Sequence, residues 1–467
     1  MKPVLLVDFG STYTKLTAVD VDSAALLGTA SAYTTVQTDI SEGLTAGLER
    51  LERETGKLEY DQSFACSSAA GGLKMVTSGL VPELTAQAAT LASLGAGAKV
   101  VKTYSYQLTE TDLEEIAQIR PDIFLLVGGT DGGNSECILH NARMLSALAG
   151  QFPIIVAGNR SVARECQRLL GERDVFLCDN VMPKFGQLQI APTQKCIRDI
   201  FLRRIVQAKG LTQVSQLLSD IVMPTPSAVL QALELLADGC EEESGIGDLI
   251  AVDVGGATTD VYSIADGMPS GANTVYKGLP EPYAKRTVEG DIGMRYSIRG
   301  IVEAAGIGRI SKLAGLRVPQ AERMIDLLST HTDLVPDGDE DMTRLDFALA
   351  SMAVDAAVGR HAGTLEETYT TLGQTFVQTG KDLSAVKQIV VTGGSLIHTV
   401  QTERIAARAM YDPAQPMSLR PREARILIDR KYILAAMGLL STHYPRVALT
   451  IMKKELESHG SSEQTNP

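Results

Sequence analysis

The sequence has little of what metal-cluster, secreted or membrane proteins require. It contains six cysteines, none of them in a C-x-x-C pair, and this scatter excludes the usual zinc and iron–sulfur ligand spacings. We expect reduced, mostly structural thiols in a cytoplasmic protein. No apolar run approaches the length of a membrane span, and the apolar start of the chain is interrupted at Asp8, too early for a signal peptide. No membrane partner is therefore expected.

Positive charge is also scarce. Lysine and arginine number 43 against 56 aspartate and glutamate residues, a formal net charge of −13, and no long basic block occurs. Because nucleic-acid binding needs clustered positive charge opposite the phosphates, no nucleic-acid partner is expected. The 467 residues, 44% hydrophobic and 21% charged, are typical of a globular protein of two or three domains.

Three stretches far apart in the chain share one pattern, an apolar strand followed by a turn rich in glycine and hydroxyl groups. They are Val4-Leu-Leu-Val-Asp-Phe-Gly-Ser-Thr-Tyr-Thr-Lys15, Leu249-Ile-Ala-Val-Asp-Val-Gly-Gly-Ala-Thr-Thr-Asp260 and Gln388-Ile-Val-Val-Thr-Gly-Gly-Ser395. The first two are near-copies, in which the strand ends in an aspartate and the turn carries one or two glycines before Ser or Thr. Two such hairpins, about half a chain apart, predict a duplicated fold that closes on a nucleotide from both sides.

The residue types of these turns suit a polyphosphate. Glycine lets the backbone approach and adopt positive φ, so that successive N–H groups point at phosphate oxygens, and hydroxyls add further donors. The candidate nucleotide-binding residues of the first two turns are Gly10, Ser11, Thr12, Gly255, Gly256, Ala257, Thr258 and Thr259. The third turn has no acid at its strand end. There Gly393, Gly394 and Ser395 offer bare backbone that suits packing against adenine and ribose, and a helix should begin near Ser395.

The charged residues of the two hairpins are candidates for catalysis. Asp8 and Asp253 end their strands and would face one another across the phosphates, where carboxylates suit Mg²⁺ that keeps several waters. Lys15 could reach a phosphate, although an ordinary exposed lysine fits the pattern equally well. Asp260 could orient an attacking water or support the metal through a water, and such positioning supplies much of phosphoryl-transfer catalysis. The hairpins thus predict ATP and Mg²⁺ as ligands.

Between residues 98 and 180 the pattern changes. Apolar strands at 123–127, 154–157 and 175–178 alternate with helical stretches at 136–148 and 162–170, an order that predicts a parallel, doubly wound unit inserted in the first lobe. Asp131, in its glycine-rich junction, is interpreted as a turn-capping residue. Elsewhere we expect strands at 4–8 and 14–20 and helices at 40–58, 84–95, 192–238 (with a break at 223–226) and 432–441. The first lobe is expected over 1–240, the second over 245–429, a helix crossing between the lobes over 430–450, and a disordered tail over 456–467.

Together the motifs resemble the phosphate-1, phosphate-2 and adenosine motifs of the actin-like ATPase superfamily, which includes actin, sugar kinases and the seventy-kilodalton heat-shock chaperones. Pro226-Ser-Ala-Val-Leu-Gln-Ala232 and Ile433-Leu-Ala-Ala-Met-Gly-Leu-Leu440 resemble its two connecting helices, whose small residues let them cross closely at a hinge. The five elements fall in the family's order across nearly the whole chain. The resemblance implies an α/β fold of two actin-like lobes, built from duplicated ribonuclease-H-like domains, that binds and hydrolyses ATP.

A narrower resemblance is carried by VDFGSTYTK, LLVGGTDGGN, VDVGGATTDVYS and RTVEGDIGMR. These segments resemble the accessory protein of glutamate mutase (methylaspartate mutase). That group implies a reactivating factor, a chaperone that uses ATP to let damaged cobalamin leave an adenosylcobalamin-dependent mutase or aminomutase. The wider superfamily has a glycine–acid turn near the nucleotide where this chain has Gly290 and Asp291.

Two other functions remain open on the same fold. One is an ATP-dependent small-molecule enzyme, either a kinase or a ring-opening hydrolase of the hydantoinase type, whose members carry a motif close to Asp253-Val-Gly-Gly-Ala-Thr-Thr-Asp-Val261. A kinase needs a dedicated base beside an acceptor pocket, and the sequence does not single one out among Glu289, Asp291 and Asp131. The other is a filament-forming ATPase, which sedimentation with and without ATP would distinguish.

Overall fold

Strands and helices alternate along most of the chain. The computed structural model describes residues 1–10, 13–33, 40–68, 73–148, 150, 152–208, 220–336, 338–370 and 373–457. Its strands, numbered β1 to β20 in chain order, are Pro3–Phe9, Tyr13–Asp20, Ala25–Tyr33, Gln62–Ser67, Lys74–Gly79, Lys99–Ser105, Ile123–Leu126, Ile154–Val156, Val175–Leu177, Asp220–Pro224, Gly239–Cys240, Glu243–Ser244, Leu249–Val254, Thr259–Ile264, Thr274–Lys277, Ala284–Glu289, Thr364–Thr370, Gly373–Thr379, Gln388–Thr392 and Arg425–Ile428. Its α-helices, numbered α1 to α15, are Ile40–Thr55, Gln87–Gly95, Glu110–Ile119, Glu136–Ser146, Ala163–Leu170, Ala191–Ala208, Thr225–Asp238, Ile298–Ala305, Ile307–Ala314, Val318–Thr330, Glu340–His361, Gly394–Ile397, Thr402–Ala406, Leu434–Ser441 and Pro445–Glu457.

The chain divides into two units. The first comprises Met1–Ala232, Gly278–Pro280 and Ala435–Ala448, and the second comprises Leu233–Lys277, Glu281–Leu434 and Leu449–Pro467. The boundary that we expected near residue 240 therefore lies inside α7.

The main sheet of the first unit has the strand order β10-β4-β1-β2-β3. β1 pairs antiparallel with β2 and parallel with β4, which in turn is parallel to β10. Every residue of β1 is buried, because this central strand is covered on both faces. Such strands read as continuous apolar runs, which explains why Val4-Leu-Leu-Val7 was recognisable from sequence.

The main sheet of the second unit repeats this topology. Its order is β16-β14-β13-β19-β20, with β13 antiparallel to β14 and parallel to β19, and β19 parallel to β20. β16 pairs antiparallel with β14, as β3 does with β2 in the first unit. Since the two sheets share strand order and strand direction, the expected duplication of a ribonuclease-H-like α/β domain is confirmed.

The unit inserted in the first lobe has its own five-stranded sheet, in the order β6-β5-β7-β8-β9. All of its pairings are parallel. The sheet takes in β5, so the inserted unit begins near residue 74 and not at 98. The sequence of β5, Lys74-Met-Val-Thr-Ser-Gly79, is only weakly apolar, and burial between β6 and β7 is what makes it a central strand. Its Thr77 is satisfied there by Thr103, Oγ1 to Oγ1 at 3.0 Å.

Several element boundaries differ from the sequence expectation. Helices were expected over 192–238 on either side of a break at 223–226. α6 and α7 are present, but α6 is described only to Ala208, and the break contains the end of strand β10, Asp220–Pro224, which was not expected. The helix expected over 430–450 is two helices, α14 and α15. The second of these reaches Glu457 and buries Leu456, so the first two residues of the expected tail are helical, and residues 458–467 lie outside the described residues. No helix in the described ranges is both long and apolar enough to span a membrane.

The two connecting helices meet through small residues in the first unit. A methyl group added at Gly438 of α14 would lie 1.8 Å from the carbonyl oxygen of Ala228 on α7. Nearby, Gln231 Nε2 donates to Ser441 Oγ over 3.0 Å. The close crossing expected from the small residues of α14 is therefore present.

Lys381 is a buried cation of the second unit, in the segment between β18 and β19. Its Nζ donates to the carbonyl oxygens of Ala265 and Tyr283, each at 2.6 Å. Burial, together with the charge of Lys285, lowers the pKa of Lys381 to about 7 from an ordinary value of 10.5. Between pH 7 and pH 10.5 the folded state therefore binds fewer protons than the unfolded state. The stability contributed by the neutral lysine is complete above pH 10.5 and is lost as pH falls through 7.

We expect Lys381→Met to remove this dependence. The free energy of unfolding of the wild type should rise by up to about 3 kcal/mol relative to the variant between about pH 7 and about pH 9.5. Urea unfolding curves at the two pH values measure the difference. Lys387→Met, at a lysine whose side chain is 63% exposed, is the matched control and should parallel the wild type. A Lys381→Met variant that also parallels it would show that the site does not titrate in this range.

Candidate functional site

The first hairpin turns sharply at Gly10, directly after β1. The Gly10 N–H donates to the carbonyl oxygens of Asp8 at 3.0 Å and Tyr13 at 3.1 Å. A methyl group at Gly10 would lie 2.5 Å from the Tyr13 oxygen, so only glycine fits this turn. Ser11 and Thr12, the other candidates at its tip, lie outside the described residues.

The second hairpin closes in the same way. The Gly255 N–H donates to the carbonyl oxygen of Thr258 at 2.9 Å, which reproduces the spacing of Gly10 and Tyr13. Thr259 begins the returning strand β14, and its Oγ1 is buried and donates to the carbonyl oxygen of Ile292 at 3.1 Å. This hydroxyl therefore supports the fold of the turn.

The register of the two hairpins makes Lys15 and Asp260 equivalent. Asp8 lies opposite Lys15 in the first hairpin, and Asp253 lies opposite Asp260 in the second. Lys15 Nζ is 3.7 Å from Asp8 Oδ2, so the first hairpin carries an ion pair where the second places two carboxylates side by side. Like charges directly opposite each other in a sheet are destabilising unless a cation compensates them.

Arg286 is the cation of the second hairpin. It lies on β16, next to β14, and its Nε and Nη2 are 2.8 Å and 2.6 Å from Asp260 Oδ1. Its side chain is only 4% exposed. Burial opposes its charge, but Asp260 and Tyr262 outweigh burial and raise the pKa of Arg286. Arg286 therefore holds Asp260 in place as a carboxylate beside Asp253.

Asp8 is a buried carboxylate with one oxygen committed to the fold. Oδ1 accepts from Thr225 Oγ1 at 2.6 Å and from Cys66 Sγ at 3.5 Å. Burial and the charge of Asp8 raise the pKa of the Cys66 thiol, which keeps it protonated and able to donate. Within the described residues Oδ2 accepts no hydrogen bond and has only Lys15 nearby. That oxygen suits a cation or a metal-bound water.

The segment from Arg286 to Arg295 packs against the second hairpin. The N–H groups of Met294 and Arg295 donate to the carbonyl oxygens of Gly255 and Gly256 at 3.0 Å and 2.9 Å. A methyl group at Gly293 would lie 2.4 Å from the Ala257 backbone. The structure thus brings the Gly290–Asp291 turn to the second hairpin, as the resemblance to the actin-like superfamily implied.

One arginine, Arg360, pairs with both acids of this segment, Glu289 and Asp291. Arg360 Nη1 lies 2.6 Å from Glu289 Oε2 and 3.2 Å from Asp291 Oδ1. Burial raises the pKa of Glu289, against the lowering effect of Arg360. The Asp291 carboxylate is therefore paired with Arg360, and Gly290 contributes only backbone atoms to the turn.

The third turn reaches the second hairpin at Asp253. Gly393 has φ +98°, and a methyl group there would lie 2.7 Å from Asp253 Oδ1, so glycine is required for this approach. α12 begins at Gly394, one residue before the expected start at Ser395. A methyl group at Gly394 would meet no atom within 4 Å among the described residues, which leaves its surface open.

Four residues of this arrangement were not identified from the sequence: Cys66, Thr225, Arg286 and Asp429. Asp429 accepts from Thr392 Oγ1 at 3.1 Å and from the Ile433 N–H at 2.8 Å, and so joins the third turn to the start of α14. Three of the four, Cys66, Thr225 and Asp429, lie at or next to a strand end, and a search for polar residues at every strand end would have found them. Arg286 lies within β16 and carries no such signal.

The donor set suits Mg²⁺ held partly through water. In the parts of the chain that the structure describes, no three His, Cys, Asp or Glu side chains gather as a metal-binding cluster. Mg²⁺ is ordinarily bound by one or two carboxylates together with substrate phosphates and waters. The buried Oδ2 of Asp8, which accepts no hydrogen bond among the described residues, fits that pattern, and a dedicated protein cage is not required.

Sequence comparison matches nearly the whole chain to one family model. The family model described as MutL protein matches residues 4–456. Protein MutL of Clostridium tetanomorphum is 47% identical over 460 residues, which cover 98% of this chain and 99% of that protein.

Solved structures show only distant likenesses. Nucleotide-free acetone carboxylase is 12% identical with a TM-score of 0.43, covering 94% of this chain and 70% of its own. The activator of 2-hydroxyisocaproyl-CoA dehydratase from Clostridium difficile, with bound ADPNP, is 10% identical with a TM-score of 0.32, and the match covers 100% of both chains. Xylulose kinase from Lactobacillus acidophilus is 10% identical with a TM-score of 0.35, covering 96% of this chain and 91% of its own. Likenesses this distant carry no conclusion about function.

Proposed function

We propose that this chain, which belongs to the MutL protein family, is an ATP-hydrolysing accessory protein that reactivates an adenosylcobalamin-dependent mutase. The observation that supports ATP chemistry is the repeated hairpin, in which Asp8 and Asp253 end equivalent strands and are followed by equivalent glycine turns. The partner, glutamate mutase or a related aminomutase, is proposed from the resemblance of the four quoted segments. Hydrolysis would shift the partner from a state that retains damaged cobalamin to one that releases it.

Each element of the site has a proposed role. Gly10 and Gly255 close the two turns with their own N–H groups and so let the backbone approach the phosphates. The N–H groups of Gly256, Ala257 and Thr258, with the hydroxyls of Ser11 and Thr12, donate to phosphate oxygens, and Thr259 supports the second turn. Asp8 and Asp253 hold Mg²⁺, which neutralises charge that develops on the phosphates. When ATP binds, Lys15 leaves Asp8 and donates to a phosphate oxygen. Asp260, which is held by Arg286, orients the attacking water. Gly290 and Asp291 support the second turn, and Gly393, Gly394 and Ser395 pack against adenosine.

The test is recovery of a partner enzyme. Glutamate mutase inactivated by damaged cobalamin is incubated with this protein, Mg²⁺, fresh adenosylcobalamin and either ATP or a non-hydrolysable analogue, and mutase turnover is measured together with phosphate release. We expect mutase turnover to recover with ATP and not with the non-hydrolysable analogue. ATP hydrolysis without recovery of glutamate mutase or of an aminomutase would contradict the reactivating role and would favour a small-molecule substrate.

Gly394 provides a test of the adenosine position. Gly394→Leu should weaken ATP binding at least about tenfold while changing the maximal hydrolysis rate less, since adenine would be crowded and the phosphates would not. The fold should tolerate the change because the space around Gly394 is open. Gly308→Leu, at an equally open glycine of α9, is the control. Equal ATP affinity in the two variants would place adenosine elsewhere.

The inserted unit is the proposed contact with the mutase, since the ATP motifs do not need it. After β9 the chain forms a tight turn at its Lys184–Gln187 bridge, and this turn presents Phe185 with 78% of its surface exposed. Asn180, which is buried and precedes this turn, donates to the Gly129 carbonyl oxygen at 3.1 Å. This hydrogen bond anchors the start of the loop. Exposed aromatic residues, phenylalanine included, are enriched at protein interfaces, where a few residues carry most of the binding energy.

Phe185→Ser should therefore lower mutase recovery about tenfold or more and leave ATP hydrolysis by the isolated protein unchanged. Tyr369→Ser, which removes an aromatic residue 76% exposed in the second unit, is the matched control. Removing residues 98–180 would be a poorer test, because it would strip β5 of its neighbours and expose Met75 and Val76. Recovery that is equal in the Phe185 and Tyr369 variants would exclude this loop from the contact.

A further inference from the structure

A pocket of about 340 Å³ lies in the second unit, apart from the residues assigned to ATP. It is an open depression bordered by the end of α8, the start of α9, the second half of α11 and the segment before β20. The residues that line it are Ala304, Ala305, Arg309, Met352, Asp355, Ala356, Gly359, Arg360, Gln415 and Arg420. This volume is at the lower end of the range of small-molecule sites.

The pocket exists because small residues stand where larger ones would close it. Ala304 and Ala305 end α8, and Ala356 and Gly359 follow each other by one turn on α11. Gly359 is also required for packing, because a methyl group there would lie 2.5 Å from Arg420 Nη2. One wall is therefore a shallow apolar surface of methyl groups.

Arginine dominates the charged lining of the pocket. Three arginines and one aspartate line it. Arg420 is fully buried, and its Nη1 lies 2.6 Å from Asp355 Oδ1, while Nη2 donates to Gln415 Oε1 at 3.1 Å. Asp355 is shared by two arginines, because its Oδ2 also lies 3.2 Å from Arg309 Nη2. The charge of Arg360 is paired with Glu289 and Asp291 outside the pocket lining.

Arg309 and Arg360 keep donors for a ligand. Arg309 uses Nη2, at 3.2 Å from Asp355 Oδ2, and its side chain is 54% exposed. Arg360 uses Nη1 on Glu289 and Asp291 and is 44% exposed. Each guanidinium has five N–H donors, so within the described residues both arginines retain donors that face the pocket or solvent. Paired donors of this kind match a carboxylate.

We propose that this pocket binds a small carboxylate with a short carbon chain, the anionic group held by Arg309 and Arg360 and the carbon atoms packed on Ala304, Ala305 and Ala356. A bare inorganic anion would leave the apolar wall unused, and a neutral molecule of the same size would give the remaining guanidinium N–H donors of Arg309 and Arg360 no charged acceptor. No residue of the hairpins or of the third turn lines the pocket. Arg360 also binds Asp291, the acid of the turn that packs on the second hairpin, so this one arginine connects the pocket to the proposed ATP site.

Calorimetric titration of the full-length protein with succinate tests the proposal, with succinamide as the neutral probe of similar size and inorganic phosphate as the anion without carbon atoms. We expect succinate to bind more tightly than either. Arg309→Gln should weaken it about tenfold, the loss of one charged hydrogen-bond donor. This variant leaves Asp355 paired with Arg420, so the fold should be retained. Arg299→Gln removes a charge of α8 outside the pocket, 68% exposed on its side chain, and should bind as the wild type does.

A second variant guards against an indirect effect of charge. Ala356→Leu fills the pocket without changing charge and should abolish binding. Binding of succinate that is equal in Arg309→Gln and Arg299→Gln would overturn the proposal, as would phosphate binding at least as tightly, or no succinate binding to the wild type.

Discussion

Asp253→Asn is expected to reduce ATP hydrolysis by about 100-fold or more, and Asp8→Asn is expected to do the same. In the proposed site each carboxylate holds Mg²⁺, and stabilisation of transition-state charge by a metal contributes several kcal/mol, of which about 2.7 kcal/mol corresponds to 100-fold. Asparagine keeps the shape of the side chain and its acceptor oxygen, so the hydrogen bonds of Asp8 Oδ1 with Thr225 and Cys66 can persist. The rate should therefore fall without loss of the fold.

The measurement is phosphate release as a function of Mg²⁺ concentration, with thermal unfolding as the check on folding. Loss of a metal-holding charge should also raise the Mg²⁺ concentration needed for half-maximal activity. Asp326→Asn is the control, since it removes a carboxylate that is 62% exposed and paired with Arg299 at the surface. If both hairpin variants hydrolyse ATP as Asp326→Asn does, the nucleotide site is assigned wrongly.

The second large effect is expected from Arg286→Met. Breaking a buried ion pair by removing one partner costs about 3–5 kcal/mol, because the remaining charge is left uncompensated. Here two carboxylates remain, since Asp260 lies directly opposite Asp253. We therefore expect the free energy of unfolding to fall by about that amount, measured by urea unfolding, and ATP hydrolysis to fall with it.

A double variant separates the charge effect from packing. Arg286→Met combined with Asp260→Asn removes the orphaned carboxylate and should recover most of the lost stability, while hydrolysis stays low because Asp260 is absent. A double variant as unstable as Arg286→Met alone would mean that the arginine acts through its packing and not through its charge. The comparison also distinguishes Asp260 as a functional acid from Asp260 as a structural partner of Arg286.

The sequence identified those parts of the site that are contiguous in the chain. Each hairpin is local, so the order of apolar strand, aspartate, glycine and hydroxyl residues already implied the turns that Gly10 and Gly255 make. The duplicated topology followed for the same reason, because the two hairpins are near-copies. β5 was missed because its residues are weakly apolar, and only its place between two strands buries it.

The side chains that surround the aspartates could not be read in this way. Cys66 and Thr225 are 58 and 217 residues from Asp8, and Arg286 is 26 residues from Asp260. No spacing rule links such pairs, because they meet only when separate strands enter the same sheet. The equivalence of Lys15 and Asp260 was implicit in the sequence, since each follows its aspartate by seven residues. The structure adds that each lies directly opposite that aspartate in the sheet.

The sequence by itself therefore determined the duplicated α/β architecture, the glycine turns and the strand-end acids, because each depends on the conformational preferences and burial of neighbouring residues. The tertiary structure decided what compensates each acid, how the 286–295 segment packs on the second hairpin, and where small residues leave an arginine-lined pocket. Those features depend on contacts between distant segments, and charge compensation and free volume are properties of the assembled sheets and helices.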